Sequence, residues 1–254
     1  MSKKQLRRKN SGALVYIPIA IIAIVLLTNY GIGTFLQVMN IEVQGASLYS
    51  EADIIKESGL SLGKNILFVD TGAVSNKIRA AMPFISDVKI TRELPDTVLL
   101  VISESSAIAT LSYKGDTLTI DSAGRVLQRT ASAQSGLIEV RGFTPLDPEE
   151  GKMMKAELGS ETKLQYLTDV LAAIESEGIQ SDVSYLDVSN IANITLEYDK
   201  KYTVILGGSS DAQYKLDKMI SSVITEIEAR EPPGTTGTIN MSDPSGRWTW
   251  NAAA

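Results

Sequence analysis

The alternation of apolar and polar positions divides the chain into three textures. No charge falls between Lys9 and Glu42, and residues 13–27 are almost wholly apolar, with Pro18 near the start. A looser apolar stretch follows to Leu36. A bilayer core takes about 20 residues of helix, a length that residues 14–35 supply. The pattern then changes to the period of a strand over residues 39–45, ending on the turn residue Gly45. Ser50-Glu51-Ala52-Asp53 resembles a capping box and predicts a short helix that stops at Gly59. A short apolar piece covers 66–69. Asp70 or Thr71 caps a second helix with Val74, Ile78 and Ala81 on one face, ended by Pro83. Two strands follow, 85–92 and 96–103, hinged at Leu94-Pro95-Asp96. The second is apolar on both faces from Val98 to Ile102, which predicts a central or helix-covered strand. Residues 38–104 thus read as a βααββ unit.

Beyond Ala107 the pattern is of short strands with glycine turns. Residues 108–113 pair with 116–121 across Lys114-Gly115, and further strands are predicted at 125–128 and 137–141. Residues 142–159 form a polar loop. Ser160 caps a helix bearing Leu164, Leu167, Leu171 and Ile174, which Gly178 ends. Strands at 183–188, 191–198 and 202–206 lead to a helix with Leu216, Ile220, Val223 and Ile227 inward, stopped by Pro232-Pro233. A last strand is predicted at 237–240. The expected class is α+β: a transmembrane helix, the βααββ unit, and a mixed α/β domain built on an antiparallel sheet. The expected divisions are a basic stub at 1–12, an anchor at 13–36, the two domains at 38–104 and 106–241, and a C-terminal tail at 242–254 that is a candidate for disorder.

Charge refines this layout. Residues 1–12 hold five of the 24 basic residues and no acid, so the rest carries 19 basic against 30 acidic residues, a balance of −11. The basic flank places the N-terminus in the cytoplasm and the body outside it. A cleaved signal peptide is disfavoured, because no small-x-small site follows Leu27. The acidic body speaks against nucleic-acid binding.

The chain has no cysteine and no histidine. Disulfides, thiol nucleophiles and thiolate metal sites are excluded, and the usual neutral-pH base and metal ligand are missing. The expectation is a protein that is not an enzyme and takes no cofactor or metal. Ser61-Leu62-Gly63-Lys64 fits the Ser-x-x-Lys nucleophile pattern, but the companion Ser-Asp-Asn and Lys-Thr-Gly elements are absent. Asp147, Glu149 and Glu150 read as solvated loop charges. Asn193 and Asn240 begin glycosylation-type triplets that matter only in a eukaryotic secretory pathway.

Binding has better candidates. Trp248 and Trp250, beside Arg247, have the composition of an interface hot spot, although packing back on the body explains them equally. The strand Thr238-Ile239-Asn240 is a candidate sheet edge able to accept a partner strand, unless its own tail blunts it.

Taken in order, the basic stub, the anchor, Ile41-Glu42-Val43-Gln44-Gly45, two helices, and Val88-Lys89-Ile90-Thr91-Arg92-Glu93-Leu94-Pro95-Asp96-Thr97 resemble the FtsQ/DivIB cell-division proteins with their POTRA module. Residues 118–127, 137–142 and 202–207, followed by Lys215-Leu216, continue the similarity, which covers about residues 10–240; residues 242–254 fit no pattern of the family. The resemblance implies a non-enzymatic scaffold at the septal cell membrane, single-pass with its N-terminus in the cytoplasm. It implies small coiled-coil membrane partners of the FtsL and FtsB/DivIC type, other divisome contacts through the POTRA domain, and control of septal peptidoglycan synthesis. It also implies strand addition near Thr238, Ile239 and Asn240. Two other readings stand beside it: a POTRA-bearing envelope chaperone or transport component, and an envelope enzyme using paired carboxylates.

Overall fold

The computed structural model describes residues 13–132 and 134–253, with the side chains of 13–15 and 27–34 outside the description. The basic stub at 1–12 also lies outside it. Helix α1 (Ala13–Phe35) is 23 residues long without a charged residue. Among the described residues, no helix is long and apolar enough to cross a membrane; in α1 the side chains over 16–26 are described, and all are exposed.

Two units follow. The N-terminal one takes in the chain to Ile78 and Asp87–Ser103, and the C-terminal one holds Arg79–Ser86 and everything from Glu104. Within the C-terminal unit the Arg79 carbonyl and Pro83 lie against Gly151, and Ser105 N donates to the Phe84 carbonyl at 2.7 Å.

Over residues 38–104, β1 (Asn40–Gln44), α2 (Glu51–Ser58), α3 (Thr71–Ala81), β2 (Ile85–Glu93) and β3 (Thr97–Glu104) appear where the periodicity predicts them. The Ser50 hydroxyl accepts from Asp53 N at 3.1 Å, and Gly59 closes α2 at φ 67°. Asp70 caps α3 by accepting from Ala73 N at 2.9 Å. The apolar piece at 66–69 is a single 3₁₀ turn, Ile66–Phe68, because Asn65 caps it by accepting from Leu67 N. β3 is the middle strand of β1-β3-β2, parallel to β1. That position explains its pattern, with Val98, Leu100 and Ile102 buried and Leu99 and Val101 half-buried. Replacing Ser50 with alanine should cost about 1 kcal/mol of α2 stability. Amide exchange at Asp53 and Ile54 should quicken ~5-fold; unchanged exchange would remove the cap from the account.

The C-terminal unit is one nine-stranded sheet. Its strands are β4 (Ala109–Tyr113), β5 (Asp116–Ile120), β6 (Val126–Thr130), β7 (Ile138–Arg141), β8 (Val183–Asp187), β9 (Ile194–Tyr198), β10 (Tyr202–Gly207), β11 (Gly237–Asn240) and β12 (Thr249–Ala252). Their order is β12-β11-β10-β9-β8-β7-β4-β5-β6. The sheet is mixed rather than antiparallel throughout: β7 runs parallel to both β4 and β8, and β10 runs parallel to β11. Each parallel step needs a crossover, and the longer ones contain helices. Helix α4 (Glu161–Glu177) links β7 to β8, and the helical stretch of α5 (Ala212–Lys218) and α6 (Ile224–Arg230) links β10 to β11. Both bury apolar side chains in one core with Leu171, Ile174, Leu186, Val204, Leu216 and Ile239.

Local details depart from expectation in three places. Ser160 precedes α4 without a side-chain capping bond. A π turn, Met219–Val223, sits between α5 and α6, and Met219 is fully buried where Ile220 was expected to be. The tail at 242–254 is not outside the sheet: it returns as β12 and pairs with β11.

Candidate functional site at the sheet edge

The edge is built by a short loop that folds the tail back. After β11, Asn240 Oδ1 accepts from Ser242 N at 2.9 Å, and Asp243 Oδ1 accepts from Ser245 N at 2.8 Å. Arg247 Nε donates to Asp243 Oδ2 at 3.1 Å, and Lys218 Nζ donates to the Gly246 carbonyl at 2.6 Å. The Ser245 hydrogen bonds, followed by the charge of Arg247, hold the Asp243 carboxyl below its ordinary value. These bonds reverse the chain so that Thr249-Trp250-Asn251-Ala252 re-enters as a strand.

β12 runs antiparallel to β11, with Thr238 opposite Asn251, Ile239 opposite Trp250, and Asn240 opposite Thr249. Trp250 is half-buried. Its ring meets Tyr202 edge to face at 5.8 Å and 66°, and its Nε1 donates to Glu231 at 3.1 Å. Such a T-shaped pair is a favoured aromatic geometry. The Tyr202 hydroxyl donates to Glu228 at 3.4 Å, and burial, then the Glu228 charge, pushes the Tyr202 phenol up. Gly237 makes room for this: a Cβ there would run into the Asn251 carbonyl and come within 2.5 Å of the Trp250 ring. Trp248 is also half-buried against the core.

The ladder's alternation shows which groups are spare. Ala253 N donates to the Thr236 carbonyl at 2.8 Å. In an antiparallel pair alternate residues exchange both bonds with the partner. Asn251 and Thr249 therefore turn their backbone groups to β11, and Trp250 and Ala252 turn theirs to the outer edge. β12 is the last strand in the sheet order. Two recesses flank it. One of about 350 Å³ is lined by Tyr202, Glu228, Glu231, Pro232 and Pro233. The other, about 390 Å³, lies between Asn240, Asp243, Arg247 and Trp248.

The structure thus brings all five predicted binding residues together at one edge of the sheet. Thr238, Ile239 and Asn240 are not an open edge, since β12 covers them and Ile239 is fully buried. Trp248 and Trp250 hold the covering strand against the body. Tyr202, Glu231 and Gly237 were not singled out by sequence. The alternation in residues 248–252 was a readable strand signal. The carboxylates at 147–150 remain surface charges: Glu149 pairs with Lys152 at 2.6 Å, and Glu150 accepts from Arg129 N at 2.7 Å. Among the described residues no acidic cluster could hold a metal ion.

The family model described as "POTRA domain, FtsQ-type" matches residues 36–105. "Cell division protein DivIB" of Clostridium tetani (strain Massachusetts / E88) is 27% identical over 209 residues, covering 82% of this chain and 77% of that protein. "Cell division protein DivIB" of Clostridium botulinum (strain Hall / ATCC 3502 / NCTC 13319 / Type A) is 25% identical over 217 residues, 85% of this chain and 82% of its own. "Cell division protein FtsQ" of Caulobacter vibrioides (strain NA1000 / CB15N) is 35% identical over 94 residues, only 37% of this chain and 31% of that protein. The chain thus carries a POTRA domain of the FtsQ type at residues 36–105 and is similar over about four-fifths of its length to bacterial cell-division proteins named DivIB.

Proposed function

We propose that this protein is a membrane-anchored, non-enzymatic scaffold of the divisome that captures small coiled-coil membrane partners of the FtsL and FtsB/DivIC type and helps control septal peptidoglycan synthesis. The observation that carries the reading is the outer edge of β12, where Trp250 and Ala252 offer backbone hydrogen bonds on a strand pinned by Trp250. Strand addition draws its affinity from such main-chain bonds and its specificity from neighbouring pockets. The flanking recesses supply the pockets. The anchor in this reading is α1, whose 23 uncharged residues reach about 35 Å at the helical rise, with the body outside the cytoplasm at the septum. Anchoring confines scaffold and partner to one membrane and raises their effective concentration. The POTRA domain contributes further divisome contacts.

A photocrosslinker tests this in dividing cells. Asn251 is exposed on β12, so a benzoyl-phenylalanine there should trap a small single-pass coiled-coil protein. The same probe at Ile239, inside the core, should trap none. Absence of any small membrane protein in the Asn251 adduct, with normal septal placement of the chain, would overturn the proposed contact.

A further inference from the structure

Exposed apolar side chains on the N-terminal unit are not scattered. Beyond α1 there are six large ones among the described residues, and five of them are Met39, Leu62, Leu67, Phe68 and Leu94. Leu48, past the far end of β1, is the exception. The five sit on three segments tied by backbone bonds directly after α1. Val38 N donates to the Lys64 carbonyl at 2.8 Å, Gly63 N to the Val38 carbonyl at 2.8 Å, and Ile66 N to the Leu36 carbonyl at 2.8 Å. A bridge joins Gln37 to Asn65. On the other side Met39 N donates to the Asp96 carbonyl at 2.8 Å, which fixes the Leu94-Pro95 hairpin tip beside the start of β1. Arg92 Nη2 donates to the Val69 carbonyl at 2.7 Å and ties the hairpin to the end of the loop.

Residues 36–40 are therefore clamped between the 62–68 loop and the hairpin tip, and both present apolar side chains to solvent. Phe68 is 84% exposed. Packing does not explain Met39, Leu67 and Phe68, since the buried neighbour of each serves the core: Val38, Ile66 and Val69. Exposed apolar clusters of this kind mark interaction surfaces. The clamp begins one residue after Phe35, the end of α1, so a bilayer crossed by α1 meets this surface first.

We infer that the Leu62–Phe68 loop and the Leu94 hairpin tip dip into the outer face of the phospholipid bilayer and hold the POTRA domain against it. The inference rests on the anchor reading of α1. The contact is apolar rather than electrostatic: Lys64 and Arg92 on these segments are balanced by Glu93 and Asp96, which leaves no net positive charge on them to attract anionic headgroups. Leu and Phe side chains entering the interface need only a few ångströms of depth. The consequence is orientation, because a domain held at two points besides its tether cannot swing freely.

The absence of native cysteine permits a clean test. The full chain is reconstituted in phosphatidylcholine vesicles containing doxyl-labelled lipid, carrying a nitrobenzoxadiazole dye at one position each through Phe68→Cys, Leu62→Cys, Ile22→Cys or Leu158→Cys. Leu158, 99% exposed in the C-terminal unit, is the solvent reference. Phe68 and Leu62 dyes should be quenched ~2-fold or more beyond that reference, with no loss in about 0.5 M salt. Quenching at Ile22 without quenching at Phe68 and Leu62 overturns the inference and leaves the anchor standing. No quenching at Ile22 overturns the anchor and the inference with it. Quenching equal to that at Leu158 overturns the inference as well, since it would report nonspecific adsorption.

Discussion

Replacing Ala252 with proline is expected to weaken capture of a partner strand ~10- to 100-fold while the sheet stays folded. The register turns the Ala252 backbone to the outer edge, and its side chain is exposed. Proline keeps an extended φ near −65° and loses only an N–H that the protein's own ladder does not use. An incoming strand, however, loses one donor and meets the ring. Together these cost about 1.5–3 kcal/mol, which is the stated range in affinity. The control is Asn251→Pro, one residue away. Its N–H faces β11, so that variant should strip β12 from the sheet and lower the thermal midpoint. Calorimetric titration of the full chain with the purified partner reads the first effect. If Ala252→Pro binds as the parent does, β12 is not the docking edge.

Trp250→Ala should give the larger change in stability, about 2–3 kcal/mol. A fully buried tryptophan truncated to alanine costs ~3–5 kcal/mol, and Trp250 is half-buried, so the lower figure applies. The loss includes the Tyr202 edge-to-face contact, worth ~0.5–1.5 kcal/mol, and the bond to Glu231. The thermal midpoint should fall by ~5–10 °C if β12 melts with the rest of the sheet. If β12 detaches alone, its amides at Thr249 and Asn251 should lose protection while those of β10 keep it. Trp250→Phe separates the two contributions, because it retains a ring against Tyr202 and gives up the N–H. A Trp250→Ala variant with unchanged midpoint and unchanged β12 protection would show that the tryptophan does not hold the strand.

The two variants also separate order from contact. Trp250→Ala weakens binding indirectly, since an unpinned strand must be ordered before it can template another. Ala252→Pro leaves the template in place and removes part of what it offers. Equal loss in both, with protection lost only in the first, is the pattern that strand addition requires.

Much of the N-terminal unit was legible because its signals are local. Ser50 caps α2, Gly59 ends it and Asp70 caps α3, all through bonds between residues at most four apart. The two-faced apolar run in β3 announced a central strand, because both faces of such a strand are covered. The same held for α4, whose apolar stripe and Gly178 stop lie within one segment. Where the reading departed, a distant partner decided. Met219 displaced Ile220 as the fully buried residue where a π turn sits in the helix.

The edge shows the division most clearly. Sequence alone determined that residues 237–240 form a strand, that two tryptophans follow it, and that no His or Cys chemistry is available. Sequence could not determine whether the tail covers that strand, since an edge is defined by what fails to pair with it. Only the tertiary structure places Trp250 on Tyr202, more than forty residues away in the chain, and that contact helps to return the tail to the sheet. Pairing between segments far apart depends on the loop closing and on the pocket that waits for the ring. Neither is written in the period of the strand itself, and so the last strand of the sheet is β12 rather than β11.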